Sequence, residues 1–130
     1  NLVNEPKYAG FLPGKHAIDG YGQGGFRFAG LSHQGSLLAL PSGIRVWNAL
    51  TAADIGQASL AAVFAEPQGS IEYLLIGTGQ TLVPIPAALR ASLREAGIVA
   101  ETMTTGAAAN TYSILLREDR LVAAALLAVA

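Results

Sequence analysis

The sequence predicts an α/β fold in which an antiparallel N-terminal meander joins a parallel βαβαβ C-terminal half. Three observations carry that expectation. Ile71 to Ile76 is a short apolar run broken by Gly77-Thr78-Gly79. Pro84 and Pro86 then admit a helix that closes at Gly97, and Ile98-Val99-Ala100 starts a second apolar run. Strand, glycine turn, helix, strand is the order of a right-handed parallel crossover. Between Ala17 and Trp47, short apolar runs alternate with glycine-rich breaks, as in antiparallel hairpins. Finally, 52% of the 130 residues are hydrophobic and 13% are charged, the latter about half the usual ~25%. Such a chain suits one domain over residues 1–130, with a core that needs no staples.

Asn1 to Lys15 holds Pro6, Gly10, Pro13 and Gly14 without periodicity, and is expected to be an irregular arm ending near His16. A first strand is expected around Ala17-Ile18-Asp19, followed by a glycine-dense turn or bulge from Gly20 to Gly25. Phe26 to Leu31 alternates as a half-buried strand does, and Ser32-His33-Gln34-Gly35 reads as a turn. Ser36 to Leu40 is the returning strand, Pro41-Ser42-Gly43 a second turn, and Ile44 to Trp47 a third strand. Period two puts Ile44 and Val46 on one face of it, Arg45 and Trp47 on the other.

Thr51 opens a helix in which Asp54 completes a capping box, and helical spacings continue to Phe64. Gly56 inside it costs about 1 kcal/mol against alanine. The crossover helix begins at Pro86, where a missing N–H costs nothing. Leu89, Leu93 and Ala96 form its inward stripe, and Arg90, Arg94 and Glu95 face water. Gly97 suits the left-handed position after the helix. After Val99 to Met103, Thr105 caps a third helix to about Arg117, with Ala108, Tyr112 and Leu115 as its buried line. Leu121 to Val129 returns as the last strand. The apolar tract Leu121 to Ala130 has ten residues, whereas a membrane span needs about 20.

Charge and cysteine content exclude several functions. Net charge is −1, and the eight Lys and Arg residues are scattered except for Arg90 and Arg94. Nucleic-acid binding needs clustered cations, so it is not expected. The absence of cysteine removes disulfides, thiolate catalysis and Cys-based metal sites, and fits a reducing, cytoplasmic setting. The chain begins at Asn1 without a methionine, which leaves a removed targeting segment open.

Gly77-Thr78-Gly79 lies between strand and helix, where a phosphate loop would lie, and Glu101 occupies the place of a ribose-binding acid. Three details count against nucleotide binding. Leu82 stands in the slot of the third glycine, Pro84 and Pro86 remove two N–H donors, and six residues separate Gly79 from Pro86. There is no Walker lysine, and the glycine turn reads as structural. His16 and His33 fall in predicted loops without a second histidine at ligand spacing, so no metal site is expected. Glu118-Asp119 between Arg117 and Arg120 reads as surface charge at a helix end. Ser36, Ser42 and Ser113 lack a Gly-x-Ser-x-Gly setting. Thr111 and Tyr112 are polar residues near a buried helix face, more suited to structural hydroxyl bonding than to catalysis. Trp47 is either packed under a helix or an interface anchor.

Several of these residues recur in a fixed order: Tyr21, Gly22, Gly24, Gly25 and Phe26; Pro41 to Trp47; Leu75 to Gly79; Met103 to Thr105, Ala108, Thr111 and Tyr112; then Glu118 and Arg120. As an ordered set from about Ile18 to Val129 they resemble the family of mitochondrial complex I assembly factor 3 and its bacterial and archaeal relatives. The resemblance implies a three-layer β/β/α domain, no known catalytic residues, and for the mitochondrial member a role in complex I assembly alongside another factor. Two positions depart from the family's usual residues. Ser113 stands where asparagine is common, and Asp119 stands where glycine is usual.

The leading functional expectation is a non-catalytic interaction or assembly protein with a protein partner and no cofactor, cytoplasmic in a bacterium and mitochondrial in a eukaryote. Low charge also leaves homo-oligomers open. Its rival is a small-molecule site at the carboxyl ends of the parallel strands, lined by Gly77, Thr78, Gly79, Thr104, Thr105 and Tyr112.

Overall fold

A computed structural model describes residues 8–130. The strands are β1 (Phe11–Pro13), β2 (Gly20–Gly22), β3 (Gly25–Phe28), β4 (Leu31–Gln34), β5 (Leu37–Leu40), β6 (Gly43–Val46), β7 (Tyr73–Gly77), β8 (Val99–Met103) and β9 (Val122–Leu126). The helices are α1 (Ala61–Phe64), α2 (Ala87–Glu95) and α3 (Thr105–Arg117), with a 3-10 turn at Ala52–Asp54 before α1.

A six-stranded mixed sheet runs β1-β6-β5-β9-β7-β8, and a separate antiparallel sheet runs β2-β3-β4. β9 welds the two halves of the chain, antiparallel to β5 and parallel to β7. Its sequence, Val-Ala-Ala-Ala-Leu, is buried throughout, as a strand covered on both faces must be. β7 lies between β8 and β9, with Tyr73 opposite Val99 and Val122. The crossover through α2 therefore moves one way from β7, and the crossover through α3 returns past it. Right-handed connections then place the two helices on opposite faces of the sheet. The core divides accordingly. Leu38, Leu74, Ile76, Ala123 and Ala125 pack against Val63 of α1 and against Leu89 and Leu93 of α2. Leu37, Ala39, Leu75, Ala124 and Leu126 pack against Ala108 and Tyr112 of α3 and against Phe26 and Phe28 of the small sheet. The layers are thus small sheet, large sheet and helices, with α3 sharing the small-sheet side.

The parallel half follows the sequence closely. Pro86 occupies the N-cap position, one residue before α2 begins, and Gly97, at φ +82°, takes the left-handed position after the helix. Thr104, one residue earlier than expected, is the N-cap of α3. Arg90 is the exception on α2. It is half-buried, and its Nη1 donates to the Ala100 carbonyl. On α3, Ala109 and Ser113 are buried where Leu115 is only partly so.

The front half differs more. The expected single meander is divided between two sheets, because β2, β3 and β4 peel away from β5 and β6. Phe26 to Leu31 is not one strand. Ala29 (φ +51°) and Gly30 (φ +74°) form a two-residue hairpin turn, so Ser32 to Gln34 becomes strand rather than turn. Within the expected irregular arm, Phe11–Pro13 pairs with Gly43–Arg45, while residues 1–7 lie outside the described part. Ala17–Asp19 precedes the strand, which begins at Gly20. Ile18 is held there by Ser113 Oγ, which accepts from its N–H at 2.8 Å, and the Asp19 N–H donates to Arg27. The helix expected from Thr51 to Phe64 breaks around Gly56 into the 3-10 turn and one turn of α1. Asp54 does cap the first piece. Its carboxylate accepts the N–H groups of Leu50 and Thr51, which hold its pKa below the usual range.

Candidate functional site

At the carboxyl ends of β7, β8 and β9, two threonine hydroxyls tie three chain segments together. The Thr78 N–H donates to the Met103 carbonyl at 2.9 Å. Its hydroxyl donates to the Thr81 carbonyl at 2.8 Å and accepts from the Val83 N–H at 3.0 Å. Thr105 Oγ1 accepts from the Gly79 N–H at 3.0 Å and donates to the Leu127 carbonyl at 2.7 Å. The Thr105 N–H returns to the Gly79 carbonyl at 2.8 Å. The N–H groups of Thr78 and Gly79, the two that follow the strand end, are therefore spent within the protein and not free for a phosphate. Sterics agree. A Cβ on Gly77 would lie 2.8 Å from Thr105 Cα, so the glycine permits α3 to seat on the strand end.

Gly77, Thr78 and Thr105 are consequently buried, and only Gly79 and Thr104 of the sequence candidates reach open space. Both border a surface cleft of about 360 Å³, together with Tyr21, Gln80, Gly106 and Asn110. Tyr21 arrives from β2 of the small sheet and lies over the first turn of α3. A Cβ on Gly106 would collide with the Tyr21 hydroxyl. The sequence signal for this cleft was a glycine in the first turn of a helix, where alanine would be preferred.

Tyr112 is not part of the cleft. It is 1% exposed, and its hydroxyl donates to the His16 carbonyl at 3.2 Å. Burial pushes the phenol well above its ordinary value, so it stays protonated and structural. Beside it, Ser113 Oγ donates to the Ile18 carbonyl at 3.1 Å. Trp47 lies on the opposite face of the sheet, 3% exposed, with Nε1 donating to the Ser59 carbonyl at 2.8 Å. It is packed under the helical layer and does not reach the surface.

His33 departs from the expected turn. It is buried in β4, facing inward beside Phe26 and Phe28. Its Nε2 is 2.9 Å from the Ser36 carbonyl, an obligate acceptor, so Nε2 carries the proton. Nδ1 then accepts from the Tyr8 hydroxyl at 2.9 Å. Burial raises the pKa of the Tyr8 phenol. His16 Nε2 donates to the Pro13 carbonyl at 2.8 Å. Among the described residues no three His, Asp or Glu side chains converge on a metal position. At the end of α3, Arg120 pairs with Glu72 at 3.8 Å and lies over Tyr73, as exposed surface charge.

Residues 18–127 match the model of a protein family of unknown function, DUF498/DUF598. The chain belongs to that family. A Rhodobacter capsulatus protein, named as an uncharacterized protein, is 42% identical over 123 residues, which are 95% of this chain and 90% of that protein. Zebrafish NADH dehydrogenase [ubiquinone] 1 alpha subcomplex assembly factor 3 is 36% identical over 111 residues, 85% of this chain. The aligned part spans 63% of the zebrafish protein. Among solved structures, a Bartonella henselae chain described as an outer membrane protein superposes with a TM-score of 0.86 at 47% identity. That match covers 91% of this chain and 98% of the other. This DUF498 chain thus shares its α/β fold with a bacterial relative and is similar in sequence to a eukaryotic assembly factor. No described helix is long and apolar enough to cross a membrane.

Proposed function

We propose that this DUF498 protein is a non-catalytic assembly factor that holds a protein partner while a respiratory NADH dehydrogenase is built. What carries the reading is the 36% identity to an assembly factor over 85% of the chain. The chemistry at the strand ends supports it. Thr78 and Thr105 are consumed in structural bonds, and Tyr112 is a protonated phenol bound to a carbonyl. Neither arrangement offers a nucleophile beside a base. The reading carries a cytoplasmic location in a bacterium and a mitochondrial one in a eukaryote, which cell fractionation tests.

The deciding experiment crosslinks the tagged protein in its native cell and follows NADH dehydrogenase on native gels in cells lacking it. The expected result is enrichment of a dehydrogenase subunit or assembly component, with less complete complex in the deletion. Normal complex together with no enriched component rejects the proposal.

A second reading rests on the cleft between Tyr21, Gly79, Thr104 and Asn110, large enough for a small metabolite. Thermal-shift screening against nucleotides and metabolites tests it. A ligand at 100 times its dissociation constant stabilises the fold by about 2.7 kcal/mol. A flat screen rejects this second reading.

A further inference from the structure

The two edges of the six-stranded sheet are built differently. β1 has three residues, ends in Pro13, which has no N–H, and carries the Arg45 guanidinium over Phe11 at 5.1 Å. Such an edge resists strand addition. β8 has five residues without proline, glycine or lysine, and among the described residues only β7 pairs with it. The Val99 N–H donates to Glu72 and the Met103 carbonyl accepts from Thr78, so residues 99, 101 and 103 direct their backbone groups toward β7. By the alternation of a parallel ladder, Ala100 and Thr102 direct theirs outward. Of those four outward groups, Arg90 covers the Ala100 carbonyl. The Ala100 N–H and both groups of Thr102 have no partner among the described residues.

Side chains complete the picture. α3 stands over β7 and β9 and only grazes β8. Val99 is 46% exposed, Met103 half-buried, and Glu101 exposed between them on that same side. No described cation pairs with Glu101. The edge therefore presents one carboxylate flanked by apolar side chains, beside a row of free backbone groups.

We propose that β8 is a docking edge for an extended segment of a partner protein, which places a Lys or Arg opposite Glu101 and apolar residues opposite Val99 and Met103. Arg90 is the latch that the incoming strand displaces at the Ala100 carbonyl. This assignment rests on the reading of the chain as an interaction protein. Charge complementarity selects the occupant. A second copy of β8, Val-Ala-Glu-Thr-Met, carries no cation to meet Glu101. A segment from another protein supplies one, with cross-strand pairing as the source of specificity.

The test uses the whole chain, labelled for amide NMR, and an acetylated peptide, Thr-Val-Thr-Lys-Thr-Val-Thr. Shift changes and slowed amide exchange are expected at Ala100 and Thr102. The same peptide with a central Glu should bind about fivefold more weakly. Arg90→Ala should tighten binding by freeing the carbonyl, and Thr102→Pro should abolish it by removing an outward N–H. Glu101→Lys, which leaves the backbone untouched, should reverse the preference between the two peptides. Absence of shifts at millimolar peptide, shifts centred elsewhere, or an unchanged preference in Glu101→Lys overturns the edge assignment. Self-association of Arg90→Ala without peptide binding overturns the choice of occupant. If crosslinking in cells finds a partner while the peptide leaves β8 untouched, the edge assignment alone fails. If neither is found, the interaction reading falls with it.

Discussion

Thr105 shows how one hydroxyl can fix the character of a site. Its Oγ1 joins the Gly79 N–H to the Leu127 carbonyl at the centre of the strand ends. Thr105→Val keeps the shape and leaves the buried Leu127 carbonyl and the partly buried Gly79 N–H without a partner, so urea denaturation should show a loss of about 2 kcal/mol. Thr105→Ser keeps the hydroxyl and should lose less. Tyr112 makes a prediction in pH. Its folded-state pKa is raised by burial, whereas the unfolded chain titrates near 10. The folded state therefore holds the proton longer. The associated stability is complete below about pH 10 and declines as pH rises from there toward the folded pKa. Unfolding free energy measured between pH 9 and 11 should fall above pH 10 by up to about 1.4 kcal/mol per unit from this group. Tyr112→Phe should remove that share, leaving the smaller contribution of Tyr8.

Helix ends carry the argument at the scale of elements. α2 and α3 close with the same pair of bonds. Gly97 and Ile98 donate to Arg94 and Leu93, and Asp119 and Arg120 donate to Leu116 and Leu115. Both closures put one residue in the left-handed region, Gly97 at φ +82° and Asp119 at φ +58°. Only the first is glycine. Asp119→Gly should therefore raise stability by about 0.5–1 kcal/mol, seen as a higher urea midpoint at unchanged slope. Gly97→Ala should lower it by a similar amount. The same logic accounts for the misplaced β3–β4 turn. Ala29 takes φ +51° although alanine gives no hint of it, so the alternating pattern ran on through the turn.

For the whole molecule, the central strands β7 and β9 are covered on both faces and paired on both sides, while β1 and β8 are edges. Native-state hydrogen exchange should find the slowest amides at Leu74–Ile76 and Ala123–Ala125. The outward amides of Ala100 and Thr102 should exchange fastest among the β-strands. Equal protection at those two amides in the free protein would mean that β8 is already covered. Bringing α3 against both sheets also joins distant sequence. Tyr112 and Ser113 hold His16 and Ile18 across about ninety-five residues of chain.

The parallel half was legible because its signals are local: an apolar run, a turn, a capped amphipathic helix and a left-handed glycine all lie within thirty residues, from Ile71 to Ala100. Composition was likewise readable without a fold. Tertiary structure alone decided which strands of the front half share a sheet, because alternation gives a strand its faces but not its neighbour. It also decided that the glycine turn would be filled by Thr105, that His33 would be buried against Tyr8, and that the open cleft would form around Tyr21 and Gly106. Each of these depends on residues far apart in the chain meeting within a few ångströms, and no local pattern encodes that distance.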